Sequence, residues 1–206
     1  MVSFERLFQK NGFRRIAGVD EVGRGPLAGP VVACAVMFPP FSPLLDSEEI
    51  RDSKSLTPRM RERKYWEIIR SASIGIGVVT PKEIDELNIL NASLLAMKKA
   101  ILALGRTPEV ALIDGLHTIS GLQMEQVPIV EGDTKAISIA SASIVAKVTR
   151  DKMMERIDET FPQYGFIRHK GYPTREHLNS LAEHGPSPIH RMSFDPVSKY
   201  LKINRL

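Results

Sequence analysis

The chain has 206 residues, 43% hydrophobic and 25% charged, and its 28 Lys plus Arg against 24 Asp plus Glu leave a net charge of +4. That is the composition of a globular protein able to bury one core, and its modest basic excess permits a phosphate-bearing partner without requiring one. No apolar run approaches the roughly 18 residues that cross a bilayer, no leader-like apolar segment opens the chain, and one cysteine, Cys34, excludes an internal disulfide or cysteine-held zinc, so a cytoplasmic protein with any metal held by Asp, Glu or His is expected.

Residues 16–20 (IAGVD) form the first apolar run. Residues 21–30 (EVGRGPLAGP) follow as a loop with three glycines and two prolines. Residues 31–38 (VVACAVMF) are continuously apolar, the pattern of a strand covered on both faces. After a turn-rich stretch to Leu56, Thr57 and Pro58 start a helix, as N-cap and first helical position, that runs to about Arg70. A strand is predicted over 74–79 (IGIGVV), then a helix opened by the Thr80…Glu83 capping box, and a helical stretch over 92–104. Residues 109–114 (EVALID) and 127–130 read as strands, each followed closely by a carboxylate beside a glycine: Asp114-Gly115 and Gly132-Asp133. A long helix is predicted over 138–161, small-residue-rich first and highly charged afterwards, with shorter helices over 174–183 and 195–203. No repeat, low-complexity tract or linker interrupts the chain. The alternation predicts an α/β fold around a central mixed sheet, with the first strands meandering and the later ones crossing over through helices.

Asp20, Asp114 and Asp133 each follow an apolar strand, which places them at the strand-end edge where open α/β sheets bind ligands. Singly, each also fits a turn or helix cap. Together with Glu21 they would repel one another at a half-buried edge, and a divalent cation relieves that repulsion. Oxygen-only ligands favour Mg²⁺ or Mn²⁺ over zinc. Neighbours on a regular strand face opposite ways, so Asp20 and Glu21 serve one site only if Glu21 lies beyond the strand end. Gly23-Arg24-Gly25 matches neither nucleotide-binding glycine fingerprint, and no nucleophile elbow is present. Of the five histidines, His177 and His184 have helical spacing for a metal pair, against a reading of all five as surface or capping groups.

The run from Gly18 to Pro30 (GVDEVGRGPLAGP) closely resembles the bacterial type 2 ribonucleases H, the ribonuclease HII family. The resemblance continues through Asp52-Ser53-Lys54, Asp114-Gly115, Gly132-Asp133, residues 141–151 (SASIVAKVTRD), His169-Lys170-Gly171-Tyr172 and residues 190–194 (HRMSF). It covers nearly all of residues 16–197 in family order.

The resemblance implies a ribonuclease H-like α/β fold with a five-stranded mixed sheet, as one catalytic domain over 1–206 whose C-terminal helical part starts at about 174. It implies a monomeric endonuclease cutting the RNA strand of RNA–DNA hybrids, and duplex DNA 5′ of single embedded ribonucleotides, using Mg²⁺ or Mn²⁺, two ions in the reactive complex. By motif position, Asp20, Glu21 and Asp114 are the implied metal ligands and Asp133 the fourth catalytic carboxylate. Asp151 is the rival for that place, though beside Arg150 it also reads as a solvated ion pair. Gly23, Arg24, Gly25 and Tyr172 are implied to read the ribose 2′-hydroxyl. Lys54, Lys147, Lys170 and Arg191 are assigned to backbone phosphates, with Ser141, Ser143 and Thr149 as further candidate contacts.

Overall fold

A computed structural model describes residues 4–51 and 55–203. In chain order the elements are α1 (Phe4–Lys10), β1 (Ile16–Val22), β2 (Val31–Met37), α2 (Glu48–Arg51), α3 (Pro58–Ser71), β3 (Ser73–Val79), α4 (Pro81–Leu87), α5 (Ile89–Leu102), β4 (Val110–Asp114), β5 (Glu125–Ile129), α6 (Gly132–Lys135), α7 (Ile137–Thr160), α8 (Phe166–His169), α9 (Arg175–His184) and α10 (Ser198–Ile203). The five strands lie in the order β3-β2-β1-β4-β5. β1, β2 and β3 meander antiparallel, whereas β4 and β5 run parallel to β1. The expected mixed α/β sheet is therefore present.

Its continuously apolar strands follow from cover on both faces. Ala17, Val19, Val31, Ala33, Ala35, Ala111 and Ile113 pack with Ala92, Ala96, Met97 and Ala100 of α5. The opposite parity, with Cys34 and Val36, packs with Ile137, Ala140, Ala142 and Ile144 of α7. Small side chains let α7 lie close against the sheet, so its first turns stand behind the end of β1.

Local chemistry sets the helix starts. Thr57 Oγ1 accepts from the Met60 amide at 3.3 Å. Thr80 and Glu83 form the expected capping box, and Glu83, held by the Thr80 amide and by Lys99, is lowered to about 2. α5 begins three residues earlier than 92 because Asn88, at φ 68°, caps it by accepting from the amides of Leu90 and Asn91. The α1 helix was not predicted. Its anchor is long-range: the buried Glu5 carboxylate accepts from the Ser138 amide at 2.7 Å and hydroxyl at 2.6 Å. Among the described residues no helix is long and apolar enough to cross a membrane.

Candidate active site

Val19 of β1 is registered beside Ile113 of β4, so Asp20 and Asp114 occupy the next positions on adjacent parallel strands. Both share the parity that faces α7. β1 continues to Val22, which corrects the expectation that Glu21 lies in a loop. Glu21 has the opposite parity and lines a cavity of about 310 Å³ with Asp114, Arg24, Ser93 and Met97. The three carboxylates communicate despite alternation because the strand ends leave both faces open around one edge.

Their electrostatics are unfavourable without compensation. Burial, then the charges of Glu21 and Asp114, hold the Asp20 carboxyl well above the usual carboxylate range, although Ser143 and the Glu21 amide hydrogen-bond to it. Glu21 is raised as well, first by burial and then by Asp114, with Arg24 pulling the other way through a 3.2 Å ion pair. Among the described residues no three His, Cys, Asp or Glu side chains close around a common point as a ready-made cage. The donor set nevertheless fits a hard cation: it is all oxygen, buried and self-repelling, and such ions accept one or two carboxylates with water and phosphate completing the shell.

Asp133 stands not at the end of β5 but in the one-turn helix α6, where it is buried. Its link to the edge is the preceding residue: the Gly132 amide donates to Asp114 Oδ1 at 2.7 Å. Asp151 pairs with Lys147 at 2.8 Å on α7, so its ion-pair partner is not Arg150, which turns inward.

The glycine loop is held from below by two arginines. Gly23 has φ 96°, and a Cβ there would lie 2.3 Å from Arg150 Nε and 2.8 Å from the Pro30 carbonyl, so only glycine fits. Arg150, fully buried, donates to the carbonyls of Pro30 at 2.9 Å, Ala28 at 3.1 Å and Lys170 at 2.9 Å. Arg191, also fully buried, donates to the carbonyls of Gly23, Arg24 and Gly29 at 2.6 to 3.0 Å. The assignment of Arg191 to a phosphate is thereby corrected, because its donors are spent on loop carbonyls inside the protein. Arg24 itself projects outward with its side chain 52% exposed. Gly25 lies beside Tyr172, whose Cε1 would be 3.8 Å from a Cβ at that position.

Lys147 and Lys170 are engaged by Asp151 and by Glu155, the latter at 2.7 Å. Lys54 lies outside the described residues. Ser141 is fully buried, which removes it as a phosphate contact. The histidine expectation is likewise corrected: His169, His177 and His190 are buried together beneath Tyr172, and His177 bonds His190 rather than joining His184. Sequence reasoning missed Arg150 and this histidine cluster. Arg150 lies inside the matched block 141–151, His169 inside the block that holds Tyr172 and His190 inside the block 190–194, whereas His177 lies in none of them. A second cavity, about 370 Å³, opens beside Arg14, Arg15 and Arg106 where β1 starts, at the opposite end of the sheet from the carboxylates.

Comparison with known proteins gives a consistent result. A family model described as Ribonuclease HII matches residues 17–197. The Ribonuclease HII of Bacillus subtilis (strain 168) is 50% identical over 201 residues, covering 97% of this chain and 77% of the relative. Among solved structures, the ribonuclease H2 of Pyrococcus horikoshii OT3 is similar with a TM-score of 0.78 at 27% identity, covering 93% of this chain and 99% of that one. The RNase HII of a PCNA complex from Archaeoglobus fulgidus is similar with a TM-score of 0.75 at 28% identity, covering 88% of this chain and 95% of that one.

Proposed function

The chain belongs to the ribonuclease HII family, an endonuclease of ribonuclease H type, and on that premise we propose that it uses divalent metal ions to cut RNA–DNA hybrids and duplex DNA 5′ of single embedded ribonucleotides. The products carry 5′-phosphate and 3′-hydroxyl ends, and the cellular role is removal of ribonucleotides during DNA replication and repair. It works in the cytoplasm as a monomer, with residues 1–206 forming one catalytic unit.

The observation that carries the reading is the gathering of Asp20, Glu21 and Asp114 at one sheet edge, with Asp20 held well above the usual carboxylate range by burial and by its two neighbours. Asp20, Glu21 and Asp114 would hold the ions and Asp133 would act as the fourth carboxylate. Mg²⁺ or Mn²⁺, as two ions, would supply charge neutralisation at the scissile phosphate and activation of the attacking water. The protein's own part is positioning. Arg24, the exposed arm of the loop, balances Glu21 and faces the substrate. The Gly23 and Gly25 backbone comes close to the ribose, and the Tyr172 ring stacks on the neighbouring sugar while its hydroxyl reaches the 2′-oxygen. Such polar reading discriminates strongly, because a deoxyribose leaves those groups unpaired. Lys147 and Lys170 would exchange their acidic partners for backbone phosphates, and Lys54 completes the basic set.

The test is cleavage of a duplex carrying one ribonucleotide, beside an all-DNA duplex, in Mg²⁺, Mn²⁺ or EDTA. Metal-dependent cutting only at the 5′ side of the ribonucleotide is expected. Equal cutting of the all-DNA duplex, or cutting in EDTA, would overturn the reading.

A further inference from the structure

Tyr172 is fixed through its backbone, while 39% of the residue remains exposed. Its amide donates to the His169 carbonyl at 2.9 Å, and its carbonyl lies 2.9 Å from His177 Nδ1. A carbonyl only accepts, so His177 carries its proton on Nδ1 and presents Nε2 as an acceptor. His190 Nε2 stands 3.0 Å from that nitrogen and must therefore be the donor. His190 Nδ1 then accepts from the Ser187 amide at 3.0 Å and hydroxyl at 2.8 Å. Every bond in the chain from Ser187 through His190 and His177 to the Tyr172 carbonyl thus has one direction, and both rings are neutral.

The packing locks these rings. His177 is fully buried and His190 is 2% exposed. His169 stacks on His177 with centroids 4.5 Å apart, and Phe166 stands edge-on to His177 at 5.4 Å. The far end of the chain is fastened to the glycine loop. His190 forms a bridge with Ala28, the Gly29 amide donates to Ile189, and the Arg191 amide donates to Leu27. Three ring nitrogens, His190 Nε2, His177 Nε2 and His177 Nδ1, therefore connect the loop to the Tyr172 carbonyl, beside the direct bond from the Leu27 amide to the Gly171 carbonyl at 2.8 Å.

We propose that His177, backed by His190, is a positioning residue for ribonucleotide recognition, setting the Tyr172 ring at a fixed distance from the glycine loop. The proposal rests on the reading of that loop and Tyr172 as the parts that contact the 2′-hydroxyl. Neither histidine touches substrate, and both act through the Tyr172 carbonyl.

The experiment compares kcat/KM for duplexes whose scissile nucleotide carries a 2′-hydroxyl or a 2′-fluoro group. Water attacks phosphorus in both, and the ratio of the two values is independent of how much enzyme is folded. His177→Phe keeps a ring without a donor, His177→Gln lacks a donor near Nδ1, and His177→Asn keeps an N–H close to that position. The expected result is a tenfold or larger fall in the ratio for His177→Phe, mainly through kcat on the hydroxyl substrate, with recovery in His177→Asn. Where His177→Phe does not fold, His177→Gln supplies the same comparison. Tyr172→Phe is the control. If it lowers the ratio while the donor-less His177 variants leave it unchanged, His177 is structural only and the proposal is overturned. If Tyr172→Phe leaves the ratio unchanged, the 2′-hydroxyl reading itself is wrong and the proposal goes with it.

Discussion

Arg150, in the middle of α7, donates to the carbonyl of Lys170 at 2.9 Å. The same guanidinium holds Pro30 and Ala28, so one side chain spans the glycine loop and the turn that carries Tyr172. Burial lowers its pKa from the usual arginine value, yet it stays charged because the carbonyls around it take the place of water.

Arg150→Met would leave three buried carbonyls without a donor. At about 1 kcal/mol or more for each, a loss of roughly 3 kcal/mol of stability is expected, readable as a lower urea midpoint at unchanged slope. Arg150→Lys is expected to recover only part of it, because an ammonium cannot match the planar fork. A variant within 0.5 kcal/mol of the parent, on the scale of ordinary surface changes, would show the carbonyls to be satisfied otherwise.

Asp20→Asn removes a buried charge that Glu21 and Asp114 oppose. Without metal the variant should melt no lower than the parent, while cleavage falls about a thousandfold or more, in line with several kcal/mol of lost phosphate polarisation. Mg²⁺ should raise the melting temperature of the parent at neutral pH and that of the variant much less. Equal shifts for both would place the ions elsewhere.

How much of this was legible beforehand differs from group to group. Asp20 and Asp114 could be found because apolar strands announce themselves and their ends are short. Glu21 was misplaced because alternation is a rule for strand interiors, and an open sheet edge lets both faces reach the same space. Arg150 and Arg191 were read as exposed because charge usually means solvent, whereas the demand for them comes from carbonyls of a glycine-rich loop that has few side chains of its own. The histidine cluster rests on contacts between residues 164 and 190 that no local pattern encodes. The α1 helix is short, and its decisive bond to Ser138 crosses most of the chain.

Acid should weaken the fold through the histidines. Burial holds His177 below the usual histidine range and His190 at about 4. Above roughly pH 6.5 the folded and unfolded rings are alike neutral. As pH falls below that, the unfolded chain takes up protons that the fold refuses, and stability declines until about pH 4. Asp20 and Glu21 act in the opposite sense, since their raised pKa values make the fold bind protons that the unfolded chain has lost. The clean measurement is therefore the urea midpoint between pH 7.5 and 4.5 in the Asp20→Asn, Glu21→Gln background, where a decline is expected. Adding His190→Asn should flatten it, and an unchanged slope would point to other groups.

Gly132 offers a test of whether the Asp114 contact matters for chemistry rather than folding. A Cβ there would lie 2.6 Å from Ile139 Cδ1 and 3.1 Å from Asp114 Oδ1. The methyl end of Ile139 can yield, but Asp114 is displaced from the amide that orients it. Gly132→Ala should therefore cost little stability, about 1 kcal/mol from strain in packing, while cleavage falls ten- to a hundredfold, the cost of an approximately 1 Å misplacement at a reacting centre. Gly105→Ala is the matched control, since a Cβ at that position meets nothing within 4 Å, and it should leave cleavage unchanged. Full activity in Gly132→Ala would show that Asp114 reaches its working position without this hydrogen bond.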